Sequence, residues 1–176
     1  VYYKLQSFFF MPLFGLNNAT ISIIAFNYGA RKPERMTKTL KIACGAAFLF
    51  MLVGLASFQL LPEALLGMFN PTDEFMHMGV KALRIISISF PVAAFGIILS
   101  ASFQALGNGI YSTLVSLCRQ LVVLLPVAYL LSLTGDVNSV WWSFPIAEVV
   151  SLAVTLLLYR RLYRKKISPL FGGSAA

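Results

Sequence analysis

The chain has 176 residues, 59% of them hydrophobic and 11% charged, and a net charge of +8. Soluble domains carry about 25% charged residues, so this composition excludes a soluble globular protein. It equally excludes nucleic acid as the partner of the positive charge, because the basic residues cluster at the ends of apolar runs, where they meet lipid headgroups.

A helix needs about 20 apolar residues to cross the hydrocarbon core, and five stretches qualify: residues 4–27, 40–61, 79–104, 111–134 and 139–159. The expected fold is an all-α, polytopic integral membrane bundle. In the first span, Gln6, Phe10, Leu13, Asn17, Thr20, Ile24 and Asn27 recur at helical spacing, with Asn18 beside them. Amides in hydrocarbon need partners or water, so this stripe either bridges helices or lines a wet cavity. The span ends at Gly29, between Tyr28 and Ala30, where a positive φ is commonly required. A basic turn follows, with Arg31, Lys32, Arg35, Lys38 and Lys41 against one acid, Glu34.

After the second span, residues 62–77 hold Glu63, Asp73, Glu74 and His77, and an interfacial amphipathic piece is predicted around Leu65, Leu66 and Phe69. In the third span Lys81 and Arg84 are shallow enough to snorkel outward. A Gly107-Asn108-Gly109 turn leads into the fourth span, and Asp136 is the only charge before the fifth. The tail is basic from Arg160 to Lys166, and residues 167–176 are expected to be disordered. By the positive-inside rule, residues 28–38 and the C-terminus are cytoplasmic, and residues 62–77 and 135–138 lie outside. Cys44 and Cys118 fall within spans and read as packing residues. A chain that opens on Val1 and enters a span almost at once is expected to be a fragment.

Four spans contain proline, at Pro12, Pro91, Pro126 and Pro145, each predicted to kink its helix. Two ionisable residues sit deep. Arg119 and Glu148 are each about nine residues from an interface, about 14 Å at 1.5 Å per residue, and so lie near the midplane. A lone charge there costs at least ~2.5–3.5 kcal/mol, so a structural ion pair or a substrate or proton role is expected, on a polar face shared with Ser112, Ser116, Ser151 and Thr155.

The run PLFGLNNATISIIAFNYGARKPER from Pro12 to Arg35 resembles the multidrug and toxic compound extrusion (MATE) family, whose kinked helix ends in a Tyr-Gly-Ala-basic turn. Pro91 with the FQALGN run from Phe103 to Asn108, the SLCRQ run from Ser116 to Gln120 and the FPIAE run from Phe144 to Glu148 are similar to further landmarks of the family, in order. The resemblance implies helices eight to twelve of a twelve-helix, two-lobe antiporter in a bacterial inner membrane, the N-terminal lobe and seventh helix being missing. It implies export of amphipathic, often cationic compounds in exchange for protons or sodium, with no other cofactor. The family's coupling carboxylates lie largely in the missing part, and the third span has no acid between Lys81 and Gln104 that could form a tenth-helix sodium site. Cavity or coupling candidates are Gln6, Asn17, Asn18, Thr20, Asn27, Arg119, Gln120 and Glu148; hinge or turn candidates are Pro12, Gly29, Pro91, Pro126 and Pro145. A lipid-linked saccharide flippase would need several deep cations, and there is one. A membrane enzyme would need a cluster of His, Asp, Glu or Cys at membrane depth, and none is evident. A non-transporting structural subunit is the remaining alternative.

Overall fold

The computed structural model describes residues 2–70 and 72–172. The described residues form ten α-helices: α1 (Tyr2–Gly29), α2 (Pro33–Leu60), α3 (Pro62–Gly67), α4 (Asp73–Ser87), α5 (Phe90–Ala105), α6 (Gly109–Leu117), α7 (Leu125–Ser132), α8 (Val137–Val140), α9 (Ser143–Leu162) and α10 (Ser168–Gly172). Two π-helical segments, Cys118–Leu124 and Tyr163–Ile167, interrupt the last two spans. Among the described residues four continuous helices are long and apolar enough to cross a membrane, and α4 with α5, bent by 46° at the break between them, makes up to five if the pair is one span.

α5 is the centre of the bundle, packing against α1, α2, α6 and α9. Its buried residues, Phe90, Ala93, Ala94, Ile98, Leu99, Ala101, Ser102 and Phe103, point all round the helix, as burial on every side requires. The small residues among them let neighbouring backbones approach, which is what drives helix association where lipid is as apolar as the helix faces. At one end of α5 the rings of Phe9, Phe10, Phe58 and Phe90 form a cluster, with centroid separations of 5.4 Å for Phe9 and Phe58, 5.1 Å for Phe58 and Phe90, and 5.5 Å for Phe10 and Phe90. Gly54 lies under it. A Cβ there would stand 3.1 Å from Phe9 and 3.3 Å from Phe90.

The bend between α4 and α5 follows from Pro91, which has no N–H to offer and whose ring clashes with a helical carbonyl four residues back. Side chains add hydrogen bonds to carbonyls in the last turn before the bend. Ser89 Oγ donates to the Ile86 carbonyl at 2.6 Å, and Gln59 Nε2, reaching over from α2, donates to the Arg84 carbonyl at 2.8 Å and to Ser87 Oγ at 3.2 Å. The kink at Pro91 is thus stitched to α2 by an amide.

The other prolines divide. Pro12 lies inside α1. Pro126 follows the π turn of Cys118–Leu124, in which the Leu125 N–H reaches back to the Gln120 carbonyl, so the widened ladder ends as the proline enters. Pro145 is buried in the first turn of α9, where backbone N–H groups are unpaired in any case, and the Trp141 carbonyl accepts the Phe144 N–H instead. Pro145 thus stands in the first turn of its helix, as Pro91 does in the first turn of α5.

Gly29 also departs from expectation. Positive φ occurs at Arg31 (53°), Asn70 (46°), Gly107 (73°) and Gly135 (74°), and not at Gly29, which closes α1 as an ordinary helical residue with open space at its Cβ. The left-handed position of the turn falls on Arg31, two residues later. The Lys32 N–H then returns to the Asn27 carbonyl at 2.9 Å.

The segment predicted to be interfacial is α3, whose Leu66 is buried against Gly79 of α4. α2 starts at Pro33, seven residues ahead of the span read from hydropathy, so Arg35, Lys38 and Lys41 ride on its first turns. Of the tail expected to be disordered, Ile167 is buried and Ser168–Gly172 is helical, while residues 173–176 lie outside the described residues.

The helix ends sort by charge. α10 packs on α2, and Lys166 Nζ donates to the Leu106 carbonyl at 2.7 Å, which gathers the basic α1–α2 turn, the Gly107 turn and the basic tail at one end. At the other end α4 packs on α8, bringing Lys81 near Asp136. The Asn138 backbone N–H donates to Asp136 at 3.0 Å and holds its carboxyl below the usual carboxylate range, with the Asn138 amide, Ser139 and Lys81 adding to the effect.

Candidate functional site

The deep charges meet. Arg119 Nη1 donates to Glu148 Oε1 at 3.1 Å, joining the π segment to α9, and this is the one ion pair among the described residues. The contact is single-pronged, and the side chains are 31% and 18% exposed, so neither is sealed in the core. The chain turns α-helical pitch into π pitch at Cys118, immediately before Arg119. Such wide turns recur at functional sites, because the extra residue re-aims side chains and loosens the ladder.

The polar face expected around this pair is not continuous. Ser112 turns instead to α5, sharing a hydrogen bond of 2.8 Å with Ser100 and accepting one of 3.1 Å from Gln104 Nε2. Ser116 is exposed. Thr155 is fully buried and donates to the Ser151 carbonyl at 2.7 Å, within its own helix. Gln120, next to Arg119, is exposed.

The amide stripe of α1 is mostly buried within this bundle. Leu13, Asn17, Thr20, Ile24 and Asn27 are buried, so this face packs into the bundle. Thr20 Oγ1 donates to the Leu16 carbonyl at 2.7 Å and Asn27 Nδ2 to the Ile23 carbonyl at 2.8 Å, so both satisfy themselves on their own helix. Asn17 Oδ1 is buried with no hydrogen-bond partner. Gln6 is half-buried, and Asn18 is exposed on the outer face with Phe8, Met11, Phe14 and Phe26. The structure thus separates Asn18 from Asn17, Thr20 and Asn27. Helical spacing already sets Asn18 about 100° round the helix from Asn17; which of the two faces is buried is decided by packing.

Two residues that matter locally, Gln59 and Gly54, stood out in no motif. A signal existed for each: a lone amide in the last turn of an apolar helix, and a glycine one turn from Phe58 in a phenylalanine-rich chain. Cys44 and Cys118 are free thiols, and no group of three or more His, Cys, Asp or Glu side chains gathers among the described residues.

Up to five membrane crossings around a bent central helix, with an ion pair at a π turn, define a polytopic membrane bundle of the kind found in transporters. The sequence model of the MatE family matches residues 1–130, and the chain belongs to that family. Among relatives, the multidrug export protein MepA of Staphylococcus aureus (strain bovine RF122 / ET3-1) is 24% identical over 158 residues, which cover 89% of this chain and 35% of MepA. The chain therefore spans about a third of the length of the curated relatives it matches. Among solved structures, the MATE multidrug transporter DinF-BH, in complex with a small-molecule ligand, is 32% identical, with a TM-score of 0.82 over 93% of this chain and 36% of its own. A multidrug resistance MATE family transporter of the MOP superfamily matches in an inward-facing conformation at a TM-score of 0.87 and 25% identity, covering 98% of this chain and 40% of its own. An outward-facing structure described in the same words gives 0.86 at 25% identity, covering 97% of this chain and 38% of its own.

Proposed function

We propose that the chain serves as part of one lobe of a secondary antiporter that exports amphipathic, often cationic compounds in exchange for protons or sodium, across a bacterial inner membrane. The observation that carries this reading is the pair of TM-scores, 0.87 against the inward-facing and 0.86 against the outward-facing transporter. Helices that fit both states equally well form a unit that keeps its shape while access alternates. Rocking of such a unit against a second one is how two-lobe transporters expose a site to each side in turn. The relatives' description as multidrug exporters and the ligand complex of DinF-BH support the substrate class. The coupling ion would be held with the help of the second lobe, since this chain contributes one intramembrane acid, Glu148. That acid already balances the one arginine at mid-membrane depth, so the middle of this bundle offers no cluster of cations for a lipid pyrophosphate, which weighs against a flippase.

The test is dye efflux from cells expressing the full reading frame that carries this chain. Expressing cells should accumulate several-fold less of a fluorescent cationic dye than empty-vector cells, and collapsing the proton or the sodium gradient should abolish the difference. Equal accumulation with folded protein in the membrane would overturn the reading.

The convergence of basic residues at one end of the bundle supports placing residues 28–38 and 160–166 in the cytoplasm. With Cys44 and Cys118 removed, a cysteine at position 35 should resist an impermeant maleimide in intact cells and react once the cells are opened, whereas one at position 136 should react in both. Labelling of position 35 from outside would reverse the orientation.

A further inference from the structure

A cavity of about 560 Å³ opens at the basic end of the bundle, between α2 and α9 with Leu99 of α5 behind. Lys41, Arg160 and Arg164 all line it, together with Tyr163 and an apolar floor of Leu40 and Leu99. Among the described residues none of these three cations is in an ion pair. Three like charges around one cavity repel each other, and a bound anion removes that cost.

We propose that this cavity binds the phosphodiester headgroup of an anionic phospholipid. The shared chemistry is that of any phosphate, but the surroundings select a lipid. The cavity lies at the end of membrane-crossing helices, where headgroups sit, and basic pockets between helices on the cytoplasmic side bind such headgroups. From Lys41 the chain of α2 runs inward to Leu49, 65% exposed, and from Arg160 that of α9 runs inward to Leu156, 42% exposed, so apolar surface for acyl chains adjoins the cations. Tyr163 and Arg164 belong to the π segment Tyr163–Ile167, and the pocket's basic wall is therefore built on the wide turn that ends α9. The proposal does not rest on the transport reading.

The experiment is a lipid titration followed by native mass spectrometry on the protein encoded by the full reading frame, in detergent. Phosphatidylglycerol should bind roughly tenfold or more tighter than phosphatidylcholine. Removing one charge should cost about fivefold, so the triple change Lys41→Gln, Arg160→Gln and Arg164→Gln should weaken phosphatidylglycerol binding roughly a hundredfold. Neutralising Arg31, Arg35 and Lys165, equal in charge but outside the cavity, should leave binding within about twofold of wild type if the cavity and not the general surface charge is the site. Should the triple variant fail to fold, Arg164→Gln alone carries the test through its fivefold loss. Equal binding of the two lipids, full binding by the cavity variant, or an equal loss in the control variant would overturn the site. Displacement of the lipid by soluble glycerophosphoglycerol at the same concentration would overturn the lipid and leave a free phosphate ester as the ligand.

Discussion

Arg119→Ala and Glu148→Gln should each destabilise the protein encoded by the full reading frame by about 1–3 kcal/mol, and the double variant should lose clearly less than the sum. Each residue stands near the middle of its span, where an unpaired charge costs at least ~2.5–3.5 kcal/mol, and the two side chains meet at 3.1 Å. Breaking a fully buried pair costs about 3–5 kcal/mol, mostly through the charge left behind. The expected loss here is smaller because the side chains are 31% and 18% exposed and the contact has one prong. Melting curves of the purified variants give the cycle, and additivity within about 0.5 kcal/mol would reject coupling. A separate readout distinguishes structure from transport. If Glu148→Gln keeps its folded yield and dye binding but loses gradient-driven efflux, Glu148 carries coupling; if efflux persists, the pair only holds α9 to the π segment.

Gly54→Leu should be the most damaging single change outside the ion pair, lowering stability by about 3 kcal/mol or more and the monodisperse yield several-fold. Even a methyl group at this position would stand 3.1 Å from Phe9 and 3.3 Å from Phe90, both ring atoms in a cluster that includes fully buried Phe58 and Phe90. Rings locked edge to face at 5.1–5.5 Å cannot step aside without losing their own contacts. Overpacking a close-packed site costs about 1–3 kcal/mol for each modest insertion, and leucine adds four carbons. Gly54→Ala should be milder, at about 1 kcal/mol, because Phe9 is only half-buried and can yield a few tenths of an ångström. Gly45 sits on the same helix with open space at its Cβ, so Gly45→Leu is the internal control and should fold as wild type does. Fluorescence-detected size-exclusion chromatography and melting of the three variants check the order. Equal behaviour of Gly54→Leu and Gly45→Leu would show that the cluster has room.

The same logic of packing separates what could be read in the chain from what could not. Five crossings, their alternation and the segregation of charge were legible because each depends on local composition: a run of apolar residues must be helical in lipid, since every backbone N–H and C=O needs a partner within the segment. The bend at Pro91 was legible for the same reason, as the missing N–H is written in the residue itself. The depth of Arg119 and of Glu148 could be counted along each helix, and their equal depth made a meeting possible. Whether they meet depends on how two helices rotate against each other, and the π turn beginning at Cys118 is part of that rotation; nothing in the SLCRQ run announces it. The inward face of α1 was decided by its packing on α2 and α5, which goes with Asn17, Thr20 and Asn27 buried and Asn18 exposed. Glycine usually takes the left-handed place at a helix end, which points to Gly29, but the turn closes two residues later and puts the left-handed backbone on Arg31. The basic cavity joins Lys41 to Arg160 and Arg164, well over a hundred residues away, and only the packing of α2 and α9 against α5 brings these charges around one space. Local chemistry fixed the elements, because hydrogen bonding and solvation act within a segment. Side-chain packing between segments fixed the faces, the pair and the cavity, because it depends on rotations and separations that no single segment encodes.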